Sequence, residues 1–480
     1  MDAQFTPQLQ RRTIAKVSWR LLPLVVVAYL VAYIDRTNIA VAALTMNKDL
    51  GFSAYFYGIG AGIFFIGYVL FEVPSNMVLE KVGARMWIAR IMITWGIVSG
   101  LMATVSGPVS FLSLRFLLGV AEAGFLPGMI LYFTYWFPAR YRGRVISTLF
   151  IAVPLANAVA SVLSGAIMEM DGILGLKGWQ WVFIIEAIPA VVLAFVVLRY
   201  MTDRPAVAKW LNVDEKEWLE DVLQAERNSV DAAGQMSVVQ VLTDARVLAI
   251  SAILFFSATA NYGITFFLPQ VVKSLGHSNL ITGFLTAIPY TVGVLGLLAF
   301  GYSSDRFMER RRHLITAAIV GGCGFLLAAW VGNSYWALAA MSIATIGTYG
   351  SRPTMWPLPS QFLTGASAAV GIALINSIGN LGGYVGPFIV GWISNDLHLT
   401  FGAIPGLSRI ASRRYASGLV SNVYCTTPIK KFRSTQVLDQ NPGVGLLQNR
   451  HNLRLGKPRL LHSNLLAENM PESSTSKFFG

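Results

Sequence analysis

The feature that most constrains this chain is a series of long apolar runs that recurs from residue 21 to residue 394. A helix needs about 20 mostly apolar residues to cross a bilayer. Backbone in hydrocarbon must satisfy its own hydrogen bonds, which leaves helices or closed barrels. Runs of this length read as helices, because barrel strands are short and alternate in polarity. Eleven spans are predicted, near 21–44, 54–78, 86–106, 109–133, 145–168, 179–201, 246–271, 281–304, 313–332, 335–359 and 366–394. The first is not expected to be a cleavable leader: it contains Asp35 and Arg36, and no small-residue cleavage pattern follows its apolar core. The chain is 54% hydrophobic and 13% charged, against about 25% charge in soluble domains. Two cysteines, Cys323 and Cys425, and five histidines argue against a disulfide framework, a cysteine-rich metal site or a zinc enzyme. No nucleophile–base constellation is visible, so an enzyme is not expected, and no cofactor is implied.

Basic residues fall on alternate loops. One set holds Arg11, Arg12, Lys16 and Arg20, then Lys81 and Arg85, then Arg140, Arg142 and Arg144. It continues with Arg199, Arg204 and Lys209, then Arg306, Arg310, Arg311 and Arg312. The other set holds Lys48, Lys177 and Lys273. This asymmetry predicts a cytoplasmic N-terminus in a plasma (inner) membrane. Residues 202–245 are a polar insert in which Asn212 and Glu215 resemble a capping pair ahead of a charged surface helix. The expected organisation is a six-helix bundle over 1–201, a cytoplasmic linker over 202–245, a five-helix bundle over 246–394 and an atypical basic tail over 395–480.

An internal repeat supports duplicated halves. Asn76, Glu80, Lys81, Gly83 and Arg85 follow span two; Gly301, Asp305, Arg306, Arg310 and Arg311 follow span eight, at an offset of 225 residues. Both read small residue, spacers, acid, base, further base, and both hold the same place in their halves. Repeated halves around a midplane site are common in secondary transporters. At these loops the sequence resembles the major facilitator superfamily; the resemblance implies that Glu80, Lys81, Arg85, Asp305, Arg306 and Arg310 brace a gate at the cytoplasmic face. The first copy departs from the family pattern, with Asn76 in place of glycine and Glu80 in place of aspartate. A solvated topogenic loop is the plainer alternative.

Ionisable groups at bilayer depth are costly and tend to face a cavity. Asp35 and Arg36 lie in span one, Arg115 and Glu122 in span four. At 1.5 Å per residue, Asp35 and Arg115 are about 13 Å and about 9 Å deep, so they are able to meet; Glu122 lies two turns past Arg115, about 10 Å lower on nearly the same face. Arg36, adjacent to Asp35, points about 100° away from it. Fixed cations beside titratable carboxylates suit an anionic substrate that moves with protons. Structural ion pairs are the alternative for all four, and structural roles are expected for Glu72 and Glu186. Tyr68, Asn261, Tyr262, Asn376 and Asn380 are expected to complete a pocket, with Gly263 a place where backbone opens. Gly58, Gly60, Gly62, Gly67, Gly379, Gly382, Gly383 and Gly386 are expected at helix contacts.

Within the superfamily the chain is most similar to the anion:cation symporter family, of the tartrate and hydroxyphenylacetate permease type. The residues that carry the likeness are Asp35-Arg36-Thr37-Asn38-Ile39, Phe71-Glu72-Val73-Pro74-Ser75-Asn76, Arg115 with Glu122, Trp356-Pro357-Leu358-Pro359 and 373–383. The resemblance implies an all-α fold and proton-coupled uptake of a small organic anion such as tartrate, a sugar acid or an aromatic acid. It implies that Arg36 and Arg115 bind carboxylate, that Asp35 and Glu122 carry protons, and that Tyr68 and Asn376 line the pocket. A monomer is expected, with no nucleic-acid partner. An efflux pump on the same fold is the competing reading, and a membrane sensor a weaker one.

Where the family has a twelfth span, 395–480 has no apolar run of that length. It carries eleven basic and four acidic residues, over half of the net +13. A disordered tail or a shifted reading frame in place of span twelve is expected, with poor stability or an inactive transporter as the consequence.

Overall fold

The computed structural model describes residues 6–232, 238–332, 334–359, 363 and 365–396. The tail from 397 onward, including Cys425 and the place of a twelfth span, lies outside the described residues.

Among the described residues the regular structure is helical. Helix α1 (Pro7–Asp49) starts at Thr6, whose hydroxyl accepts from Leu9 N, with Pro7 in the first turn. It is followed by α2 (Ala54–Val82) and α3 (Ala84–Leu101). Span four is two helices, α4 (Pro108–Glu122) and α5 (Phe125–Thr134). Then come α6 (Ala139–Ile167), α7 (Gly178–Tyr200), α8 (Val213–Ala232) and α9 (Val238–Thr243). The second half holds α10 (Ala245–Lys273), α11 (Asn279–Phe307), α12 (Arg310–Val331), α13 (Trp336–Met355) and α14 (Gly365–Asp396).

Among the described residues ten helical segments are long and apolar enough to span a membrane, with α4 and α5 counted as one. The tenth expected span, 335–359, forms α13 but falls short in apolarity. Its second half carries Thr345, Thr348, Ser351, Arg352 and Thr354, all buried in protein. Neighbouring helices supply the environment that lipid cannot: α13 backbone at Ala344 and Gly347 meets α12 at Gly324 and Gly321.

Span four breaks after Glu122. Pro127 has no N–H to return to the carbonyl of Ala123, and Gly124 takes a left-handed turn at φ 85°. A side chain at Gly124 would collide with Ser75 Oγ, 2.4 Å from an ideal Cβ. The break was not anticipated from the sequence, although Gly124 and Pro127 are its signals. Gly263, by contrast, sits inside continuous α10 and faces Gly386, so the expected opening is absent there.

Small residues set the helix contacts, as expected. Gly60 and Gly67 face Phe111 and Phe116 of α4, and Gly58 and Gly62 face Pro387 and Tyr384 of α14. Gly382 and Gly386 lie against the α10 backbone at Phe255 and Thr259.

The repeated loop is structural as well as sequential. Gly83 and Met308, 225 positions apart, both adopt positive φ, 97° and 51°, between the helices they join. In the first copy Asp203 accepts from Arg85 N at 2.8 Å, while in the second Arg310 pairs with Asp305 at 2.5 Å and Arg306 donates to Tyr302 Oη at 3.2 Å.

The insert is docked rather than loose. Glu215 accepts from Asn212 N at 2.9 Å, the anticipated capping contact, and pairs with Lys16 at 2.7 Å. Arg142 pairs with Glu226 at 2.7 Å, and Trp218, Leu219 and Leu223 are buried. Burial pushes the Glu215 carboxyl up, but the hydrogen bonds from Lys16 and Asn212 outweigh it and hold it below the ordinary carboxylate range. Its contribution is therefore present above the unfolded value and lost as pH falls through the lower folded one.

Two outcomes follow. Glu215→Gln is expected to lower the melting temperature in detergent at neutral pH, and the gap to wild type to narrow progressively as pH falls below about 4. A gap that widens in acid contradicts this assignment. Gly119→Ala places a Cβ 1.9 Å from Phe64 O and is expected to cost about 1–3 kcal/mol of stability, read in the same melts.

Candidate functional site

The site is built where α1, α2, α4, α10 and α13 converge. On α1, Tyr29, Tyr33 and Arg36 follow helical spacing and share a face, with Asp35 turned aside. The Arg36 guanidinium pairs through Nη2 with Glu122 and donates through Nη1 to Tyr262 Oη at 3.3 Å. Its centre lies 4.9 Å from the Tyr33 ring and 5.2 Å from the rings of Phe64 and Tyr68. Such faces attract a desolvated cation. The Arg36 Nε is buried without a hydrogen-bond partner.

Glu122 is 2% exposed and is the last residue of α4. Isolating either partner of a buried ion pair costs about 3–5 kcal/mol. The arrangement therefore favours one anion on Arg36 at all times.

Arg115 is fully buried, but its role in the structure differs from a free anion receptor. Its Nε and Nη2 donate to the carbonyls of Gly60 and Ala61 at 3.2 and 3.1 Å. It thereby ties α4 to α2, and only Nη1 is left without a partner. The expected meeting of Asp35 with Arg115 does not occur. Asp35 turns to α3, where Trp95 Nε1 donates at 2.8 Å and Ser99 Oγ at 2.6 Å. Helix rotation decides this: one residue around α1 from Arg36 is a different neighbour.

Of the other expected residues, Tyr68 and Tyr262 stand beside Arg36, and Tyr262 Oη lies 3.4 Å from Tyr33 Oη. Asn261 is buried with its Nδ2 unpartnered. Asn376 donates to Glu72, which also accepts from Ser377 Oγ at 3.2 Å. Glu72 thus joins the halves, in keeping with a structural role. Asn380 is half-buried on the same helix, and the structure does not bring it to Arg36. Glu186 accepts from Ser164 Oγ at 2.6 Å.

The sequence reading passed over Arg352. It lies on α13, is 7% exposed, and its Nε is buried without a partner. Its centre is 5.9 Å from the Tyr349 ring, and Tyr349 Oη accepts from Asn157 at 2.7 Å. Its only sequence signal was a guanidinium within a span counted as apolar.

Contacts between the first and second half of the chain lie on both sides of this cluster. Toward the loops at Gly83 and Met308, Phe150 stacks on Trp356 at 5.4 Å, and Glu72 meets Asn376. Toward the other face, Gly165 and Gly283 bring α6 onto α11, and Tyr57 Oη donates to Phe266 O at 3.1 Å. Between Thr37, Asn157, Thr265 and Tyr290 a cavity of about 10 Å³ remains, enough for about one water.

The chain is 48% identical over 419 residues to a provisionally named tartrate transporter of Agrobacterium vitis, covering 87% of this chain and 96% of that one. It is 43% identical over 383 residues to a quinolone resistance transporter of Acinetobacter baumannii, covering 80% and 88%. Among solved structures it resembles the xylose transporter XylE from E. coli in a partially occluded inward-open conformation. There the TM-score is 0.65 at 14% identity, covering 85% of this chain and 97% of that one. The model of the Major Facilitator Superfamily matches residues 25–387. With ten long apolar helical segments among the described residues, this family match and these relatives, the chain belongs to the Major Facilitator Superfamily and is a multi-pass secondary transporter of that type.

Proposed function

We propose that the chain takes up a small organic anion together with protons, by alternating access, across the plasma membrane with its N-terminus in the cytoplasm. The observation that carries this reading is the buried Arg36–Glu122 pair, with Arg36 Nε still unspent. Arg36 keeps its charge under all working conditions, so losing its partner unreplaced is costly. A proton on Glu122 removes that partner, and a substrate carboxylate takes its place. Proton and anion then enter as one neutral addition. Asp35, sealed against Trp95 and Ser99, is the second proton-carrying acid in this reading, and Arg115 Nη1 the second donor to substrate. Tyr68, Asn261, Tyr262, Asn376 and Asn380 shape the pocket. The loops at Glu80, Lys81, Arg85, Asp305, Arg306 and Arg310 brace the cytoplasmic gate, and the transporter works as a monomer. The tartrate-named relative supports a carboxylate substrate.

A quinolone efflux pump is the second reading, favoured by the Acinetobacter baumannii relative. Buried arginines at the site weigh against cationic drugs. They weigh less against quinolones, which carry a carboxylate.

Uptake of labelled tartrate and gluconate into proteoliposomes, with acid outside, tests the first reading. Wild type is expected to accumulate at least one of these acids in proportion to the gradient. Glu122→Gln is expected to lose that dependence while retaining exchange. An unchanged gradient response in Glu122→Gln removes the proton role, and quinolone export without acid uptake favours the second reading.

A further inference from the structure

The seam between α2 and α14 joins the two halves and changes character along its length. At the end away from the Gly83 and Met308 loops it is backbone on backbone. An ideal Cβ on Gly58 would lie 2.5 Å from Pro387 O, and one on Gly391 2.5 Å from Ala54 O. About four turns further along α2, Glu72 meets Asn376 and Ser377 of α14. Glu72 is 2% exposed, and none of the ion pairs among the described residues includes it. Arg36 of α1 and Tyr68 of α2 act on it through space, and α14 faces it with the neutral Asn376 and Ser377. A tie between helices needs only an acceptor, which the isosteric glutamine supplies without a charge. A carboxylate closed away from water with no cation bonded to it is expensive as an anion and far less so as an acid. The geometry accommodates the acid. Asn376 Nδ2 donates to Oε1 in either state. Ser377 Oγ lies 3.2 Å from Oε2, and its hydroxyl turns from donor to acceptor when Oε2 carries a proton.

We propose that Glu72 is a proton-linked latch between the halves: it takes a proton from water as the α2–α14 seam closes beside the Gly83 and Met308 loops, and returns it to water as that end opens. Closure removes the water that solvates the anion, so the closed seam selects the neutral acid. Parting of the helices wets the side chain, and the anion is then the form that keeps them apart. Phe150 and Trp356, stacked on the same side, close with it. Acid therefore favours the closed end and rising pH the open one. The latch rests on the alternating-access reading above, and on neither the substrate nor Glu122.

Spin labels at Met86→Cys and Phe307→Cys, exposed positions beside the two loops, report the distance across that end in the full chain with Cys323→Ser and Cys425→Ser. With Glu72 in place, the ratio of long to short distances is expected to rise about tenfold or more between about pH 5 and about pH 9. Glu72→Gln keeps the acceptor for Asn376 and is expected to hold the short distance across that range. Ser377→Ala removes the acceptor for the acid's proton and is expected to move the transition to lower pH. In acid, an infrared band of a protonated carboxyl is expected that Glu72→Gln lacks, a readout of the proton that needs no movement. A shift of the same size in Glu72→Gln overturns the latch, as does a ratio that falls with rising pH or a shift that only Glu122→Gln abolishes. A ratio indifferent to pH also overturns it, and alternating access stands if added tartrate still changes the distance. Indifference to both removes the two together.

Discussion

The structure depends on a guanidinium that is kept out of water and must always have company. Arg36 sits among Tyr33, Phe64 and Tyr68 with Glu122 as its counter-ion. In an interior of low polarity neither group is tolerated alone. The surrounding helices are arranged to keep them together. Arg115 fastens α4 to the Gly60–Ala61 backbone of α2, and Gly119 lets α4 approach Phe64 of α2. Together these contacts set where Glu122 ends up. The small residues of α2 therefore matter to the charge as much as to the packing.

The two halves are tied by polar side chains in places where apolar contact would suffice for stability. Glu72 reaches Asn376 and Ser377, and Tyr262 reaches Arg36 and Tyr33. Polar contacts between spans carry modest energies, about 0.6 kcal/mol on average. Bonds of that size hold one arrangement without locking it.

Much of the architecture was legible because hydrophobic length and charge placement are properties of segments. The repeat at Glu80 and Asp305 was legible too, and in the backbone Gly83 and Met308 both take a positive φ, though at different ψ. The partners of individual side chains were not legible. Asp35 and Arg36 are neighbours in sequence, yet one faces Trp95 and the other Glu122, because a helix rotates by about 100° per residue. Arg115 looked like a receptor, but its nearest acceptors are carbonyls of another helix. Arg352 disappeared into the average of a segment whose remaining residues are mild.

The interruption at Ala123 and Gly124 separates one membrane crossing into two rods. A continuous helix moves as a unit, so a displacement at one end reaches the other unchanged. Here the rods meet beside Glu122, at a corner that Ser75 fills too closely for any side chain on Gly124. That carboxylate therefore sits at the elbow itself, where α5 takes a heading of its own.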